Sequence, residues 1–263
     1  MAVGATGVAL DEPEAWSGDF SYGYLERFFE LASAFLTPAT LGEATAEDVG
    51  RIFVRHDVDV SLSRAVSLAR HERRWTIPAT YHVMLDSPFY DVGSTPSRDA
   101  LAELADLGHE VGLHYNVDAR MMRTASAEAR EADMVQACEE LERFTGQAVR
   151  SLSFHLPMPE LMGGPLRVAG RVSGYANELF AWYLSDSRGR WREGEPVAGL
   201  VRPRGPNLQI LIHPVWWGEQ HAAPPARLHE LLTELEPALG RNYAVLNDEL
   251  WEHIIRRAEA PNR

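Results

Sequence analysis

Hydrophobic positions change period along the chain, and each change marks an element. "SYGYLERFFELASAFL" places Tyr24, Phe28, Leu31 and Phe35 at helical spacing and predicts a helix. The dense apolar run "RIFV" predicts a short buried strand, followed by a helix at "SRAVSLARHERRW" and a strand at "IPATYHVML". The order repeats with a helix at "SRDALAELADLG", a strand at "HEVGLHY" and a long helix at "SAEAREADMVQACEELERFTG"; glycines close two of these helices as C-caps do. Strands alternating with helices predict βαβ units around a parallel sheet. After about residue 150 the alternation loosens. There "VRSLSF", "LFAWYLSD" and "LQILIHP" read as strands joined by Gly/Pro-rich loops, and "RLHELLTELEPAL" and "NDELWEHIIRR" as closing helices. The repeated order suits a complete or distorted (β/α) barrel better than an open doubly wound sheet, although periodicity alone does not separate them.

Composition narrows the picture. With 263 residues, 45% of them hydrophobic, the chain can build one large core, and residues 1–20 read as a lead-in to a single domain over 21–263. The 25 Lys and Arg against 38 Asp and Glu give a formal net charge of -13, and no basic run tracks a phosphate backbone, so neither nucleic acid nor an anionic membrane is an expected partner. The single cysteine, Cys138, excludes an intrachain disulfide and a cysteine metal cluster. "MAVGATGVALDEPEAWSG" lacks the basic start of a signal peptide, and no stretch approaches the roughly 20 apolar residues of a membrane span. A cytoplasmic protein is the expectation.

Candidate chemistry gathers at strand ends. In an extended "RIFVRHDVDVS", Arg55, Asp57 and Asp59 share one face, with the two carboxylates about 6 to 7 Å apart. Such a pair is costly to bury unless a cation or proton offsets the repulsion, which suits one metal ligand and one base. Taken alone, "DVD" also reads as a solvated strand cap. In "GHEVGLHYNVD", Val111, Leu113 and Tyr115 face one way while Gly112 and His114 face the other, the glycine leaving room for a ligand or metal. Asp118 would share a helix face with His114 if the chain turned helical there. His155 in "SLSFHLP" and His213 in "LQILIHPVWW" also follow strand-like segments, and the indoles of Trp216 and Trp217 suit a sugar platform or a core pair. His56 and His82 are expected on other faces. Asp or His at four strand ends are ligands suited to Zn²⁺ or a similar ion with a position open for water.

Taken in order, "RHDVD", "ARHERRWTIPATYHVM", "GHEVGLHYN", "SFHLP", "SDSRGRW" and "LIHPVWW" resemble the polysaccharide deacetylase family, carbohydrate esterase family 4 and its relatives, across most of the chain. The resemblance implies a distorted (β/α) barrel, often seven-stranded, and a metal-dependent hydrolase that removes an acyl group from an amide nitrogen. By position, Asp57 resembles the catalytic base, Asp59 the metal-binding Asp displaced by the inserted Val58, His114 the first metal histidine, and His213 the general acid. Asp118 stands where the second metal histidine is usual, and His155 where an arginine is usual. The expected ligands are therefore Asp59, His114 and His155, with Asp118 competing for the third place. Asp186 and Trp191 resemble the segment that positions the base and shapes the pocket; together with Tyr115, Trp216 and Trp217 they are the expected substrate contacts. The expected cofactor is a divalent ion, zinc before cobalt, nickel or manganese. The expected substrate is a small N-acyl amino sugar or glycosylated intermediate bearing acetyl or formyl. The alternative is a barrel without chemistry that binds a sugar or metabolite.

Overall fold

The computed structural model describes residues 18–254; the lead-in before Gly18 and the part of the expected closing helix "NDELWEHIIRR" after Ile254 lie outside the described residues. One curled sheet organises them. In chain order its strands are β1 (Thr37–Ala39), β2 (Arg51–Val58), β3 (Thr80–Val83), β4 (Glu110–Asn116), β5 (Ser151–His155), β6 (Arg167–Val168), β7 (Arg171–Ser173), β8 (Tyr183–Ser185) and β9 (Leu208–Ile212). Eight of them run in the order β6-β7-β5-β4-β3-β2-β9-β8, and β1 pairs with β2 ahead of β3. All pairings are parallel except β6 with β7.

The helices are α1 (Tyr22–Ser33), α2 (Leu62–Arg74), α3 (Thr95–Asp106), α4 (Ala127–Thr145), α5 (Asn177–Phe180), α6 (Pro196–Leu200), α7 (Pro224–Leu239) and α8 (Tyr243–Ile254). Ser21, Ser61, Ser94 and Ser126 cap the first four through their hydroxyls, each accepting a backbone N–H that the helix itself leaves unpaired. α4 stops at Gly146, which takes φ 67°. From β2 to β5 the chain alternates strand and helix as its periodicity predicts. "LFAWYLSD" departs from the expected strand: α5 takes its start and β8 only its end.

Strand alternation divides the interior in two. Ile52, Val54 and Val58 of β2 face the helices and join the large core, whereas Phe53 faces into the curl and packs with Leu41, Val172 and Leu179 in a smaller one. Every residue of β3, β4, β5 and β9 is buried, so both faces of these strands are covered, the polar ones included. Nine strands replace the expected seven, and the path ends at β6 and β8 with no ladder closing it among the described residues. Aromatic rings cross this seam. Tyr175, just after β7, stacks on Phe180 at 5.5 Å, and Phe180 stacks on Tyr183 of β8 at 4.6 Å.

Candidate metal and catalytic site

Parallel register brings the candidate residues to one level. Asp57 of β2 pairs with His82 of β3, His114 of β4 with Ser153 of β5, and Asn116 with His155. All lie toward the C-terminal ends of their strands, inside the curl, where parallel α/β sheets place their sites. β2 ends at Val58, and its end is held by residues of the loop after β3. Ser87 Oγ donates to the Asp59 carbonyl at 2.8 Å, and Tyr90 Oη to the Val58 carbonyl at 2.6 Å.

The two aspartates then meet different partners. Asp59 Oδ1 lies 3.0 Å from His114 Nε2 and 3.1 Å from His155 Nδ1. One donor atom from each of these three buried residues falls within 4.8 Å of the others. Asp57 is clamped by Arg55, whose Nε donates to Oδ1 at 2.9 Å and whose Nη2 donates to Oδ2 at 2.7 Å; Ser153 Oγ adds a bond to Oδ1 at 3.0 Å. Burial opposes charge on both carboxylates. Arg55, with His114 behind it, outweighs that for Asp57, and His155 and His114 outweigh it for Asp59, so both are held well below the usual carboxylate range.

Ser153 also decides the state of His114. Its one proton goes to Asp57, so the 2.7 Å contact with His114 Nδ1 must be a bond donated by the imidazole. That leaves Nε2 as the ring nitrogen turned toward the Asp59 carboxylate, 3.0 Å from Oδ1. A nitrogen and an oxygen this close can share a cation, since ligands about 2.0 to 2.2 Å from a common ion are separated by comparable distances. The donor set fits a divalent metal. Asp118 is not in the cluster: it sits past β4 in a turn, and both its oxygens accept from Arg123 at 2.5 and 2.8 Å. Of the two candidates for the third place, His155 is the one with a donor atom grouped with those of Asp59 and His114.

His213, immediately after β9, turns Nε2 toward Asp59 Oδ2 at 3.8 Å and Nδ1 toward Asp186 Oδ1 at 2.7 Å. Asp186 is fully buried and also accepts from the His213 backbone N–H at 3.0 Å and from Trp217 Nε1 at 2.7 Å. Burial works against charge on His213, but the Asp186 carboxylate overcomes it, with Asp59 and Asp57 adding to the pull, and raises the pKa to about 9.

A cavity of about 850 Å³ opens over Asp57, Asp59, His114, His155 and His213. Several expected contacts stay out of it. Tyr115 is buried and donates to Asp133 of α4 at 2.6 Å, on the helix side of the sheet. Trp216 and Trp217 are 0% and 1% exposed because the 3-10 turn Pro214–Trp216 directs them into the core. Trp191 packs against Trp217 at 6.0 Å, and Asp186 orients His213 rather than the base or the substrate. The aromatic wall is instead Tyr175, Phe180 and Tyr183. His82 also departs from expectation: it shares the inner face, with Nδ1 3.7 Å from Asp57 Oδ1 and Nε2 3.0 Å from Ser151 Oγ. Gly112 makes room for this ring and not for a metal, since a Cβ there would meet His82 Cδ2 at 2.5 Å. His56 faces outward onto Glu72 of α2, as expected.

No family model and no curated protein matches the sequence. Solved structures do. Its structural neighbours include family 4 carbohydrate esterases. BA3943 from Bacillus anthracis, described as a CE4 family pseudoenzyme, is 16% identical with a TM-score of 0.42 over 71% of this chain and 60% of that one. IcaB from Ammonifex degensii is 17% identical with a TM-score of 0.40 over 61% of this chain and 88% of that one. A family 4 carbohydrate esterase from Bacillus anthracis is 15% identical with a TM-score of 0.36 over 71% and 76%. This chain thus spans about 60% of the length of BA3943. Superpositions this partial say nothing of chemistry, which has to follow from the side chains.

Proposed function

We propose that the protein is a metal-dependent amide hydrolase that removes an N-acyl group, acetyl or formyl, from an amino sugar or a sugar-containing small molecule. The observation that carries this reading is the division of labour between adjacent carboxylates: Asp59 faces two histidine nitrogens, while Asp57 stands beside that group, held ionised by Arg55. Asp59, His114 and His155 would hold the ion, and one oxygen with two imidazole nitrogens suits zinc, with cobalt, nickel and manganese as alternatives. A divalent ion bound there supplies a Lewis acid and lowers the pKa of water from 15.7 toward about 7.

The chain's own groups supply the proton transfers. Asp57 Oδ1 already accepts two bonds, and Oδ2 accepts one, so Oδ2 keeps the lone pair for a proton from attacking water. Arg55 keeps that carboxylate in its accepting form and fixes its plane, while making it a weaker base. His213, charged through its pairing with Asp186, presents Nε2 to the same space and donates to the departing nitrogen. An amine leaves poorly without that proton.

Acyl release and bound metal, measured on the same preparations, test this reading. Asp57→Asn is expected to keep its metal and lose turnover by about 10²- to 10⁴-fold, whereas His114→Ala loses the metal. A fully active Asp57→Asn protein would sink the assignment. A wild-type protein that binds no divalent ion and releases no acyl group would instead be a sugar-binding barrel.

A further inference from the structure

Outside the Asp57 and Asp59 site, the cavity wall does not share the acidic balance of the chain. The chain has 38 acidic residues against 25 Lys and Arg, so a wall drawn evenly from it would be acidic. Apart from Asp57 and Asp59, the charged carboxylate and guanidinium groups on this wall among the described residues are Arg123, Arg188, Arg192 and Arg204 against Asp118 and Glu193. Arg123 and Asp118 cancel in a two-bond ion pair at 2.5 and 2.8 Å. Glu193 is engaged by the Ser185 backbone N–H at 3.0 Å, and burial pushes its pKa up, against the pull of Arg192 and Arg204. Arg192 and Arg204 therefore face one carboxylate that is itself disposed to take up a proton.

These arginines come from one stretch of chain, the connection from β8 to β9 that carries the 3-10 turn Ser187–Gly189 and α6. Arg192 and Arg204 are exposed, and among the described residues no carboxylate lies within ion-pair distance of either. The same side of the cavity carries Phe180 and Tyr183, stacked at 4.6 Å, an apolar face suited to the C–H surface of a sugar ring. At about 850 Å³ the cavity lies near the top of the ~300 to 1,000 Å³ range of small-molecule sites, so it holds a sugar with a substituent attached. Planar guanidinium groups match oxyanions through paired N–H donors.

We propose that the molecule bound in this cavity carries an oxyanion, a carboxylate or a phosphate ester, on its sugar or on the attached group, and that Arg192 and Arg204, with Arg188 beside them, receive it. The proposal rests on the hydrolase reading for what happens at the N-acyl end, and on the cavity wall for the charge. Its test is calorimetric binding, with acyl release followed separately, using the full chain loaded with Zn²⁺. The probes are N-acetylglucosamine, its 1-phosphate, its uridine diphosphate ester, and N-acetylgalactosaminuronic acid. At least one anionic probe is expected to bind roughly tenfold or more tightly than the neutral sugar, with a preference that shrinks in high salt. Preference for the uronic acid assigns the carboxylate as the source, and preference for either phosphate ester assigns the phosphate.

Arg192→Gln with Arg204→Gln is expected to lower the anionic-to-neutral affinity ratio roughly tenfold. Arg98→Gln with Arg73→Gln, which removes the same two charges at exposed positions of α3 and α2, leaves the ratio intact. Equal affinity for neutral and anionic sugars, no anionic binding at millimolar concentration, or a ratio unmoved by the double substitution overturns the proposal. Anionic preference without acyl release would uphold the oxyanion subsite and remove the hydrolase reading. Acyl release with no preference for charge would do the reverse.

Discussion

Ser153 shows how much chemistry one hydroxyl can settle. By donating to Asp57 it must accept from His114, and so it fixes the ring tautomer that leaves Nε2 toward Asp59. Ser153→Ala is expected to leave the fold in place and weaken metal binding by about 10- to 100-fold, read by competition with a chelating dye. Asp186 acts on His213 in the same manner. Its carboxylate holds the imidazole charged up to about pH 9, so the proton that the proposed mechanism asks of His213 is present through neutral pH and is lost as pH rises through that value. Asp186→Asn is expected to move the alkaline limb of the kcat profile to lower pH. Because the folded-state pKa is raised above that of the unfolded chain, the pair's contribution to stability is complete below about pH 6.5 and disappears as pH passes about 9. A stability-versus-pH curve for Asp186→Asn should lack that alkaline loss. Asp57, Asp59, His114, His155 and His213 were legible as candidates because each stands at the end of an apolar run, where period-2 alternation gives a side chain its face. The partners were less so. Arg55 could be placed on the face of Asp57, but its clamp depends on the rotamer, and Ser153 carries no spacing signal at all.

At the scale of elements, the run from β2 to β5 was readable because each strand is followed by a helix with its own cap and stop. The seam was not. Its aromatic bridge of Tyr175, Phe180 and Tyr183 joins residues from both sides of a gap that exists only once the sheet curls. Trp216 and Trp217 misled for a related reason: an adjacent indole pair has no direction until the 3-10 turn after His213 aims both rings into the core. Gly112 marks a place where two strands and a side chain compete for space. A methyl there would meet His82 Cδ2 at 2.5 Å and Ser151 Oγ at 2.8 Å. Gly112→Ala is therefore expected to cost about 1 to 3 kcal/mol, a fall in Tm of roughly 2 to 4 °C per kcal/mol for a chain of this size. An unchanged Tm would show that β3 can shift away, and that His82 is not held against Asp57 by packing.

Across the whole molecule, the curl of one sheet produces both the enclosure and the chemistry. The helix-facing side of each strand fills a conventional core, and the inner side is apolar at one end, where Phe53, Leu41 and Val172 pack, and ionic at the other. No helix among the described residues is long and apolar enough to cross a membrane. Among the described residues the cavity lining carries as many arginines as carboxylates, against 25 Lys and Arg to 38 Asp and Glu in the whole chain. Everything proposed for the site depends on which residues surround its cation. Anomalous diffraction from crystals grown with Zn²⁺, measured at the zinc edge, addresses that directly. The expected result is one strong peak bounded by Asp59, His114 and His155, with Asp57 held by Arg55 beside it; a peak at Asp118, or none within the curl, would contradict it.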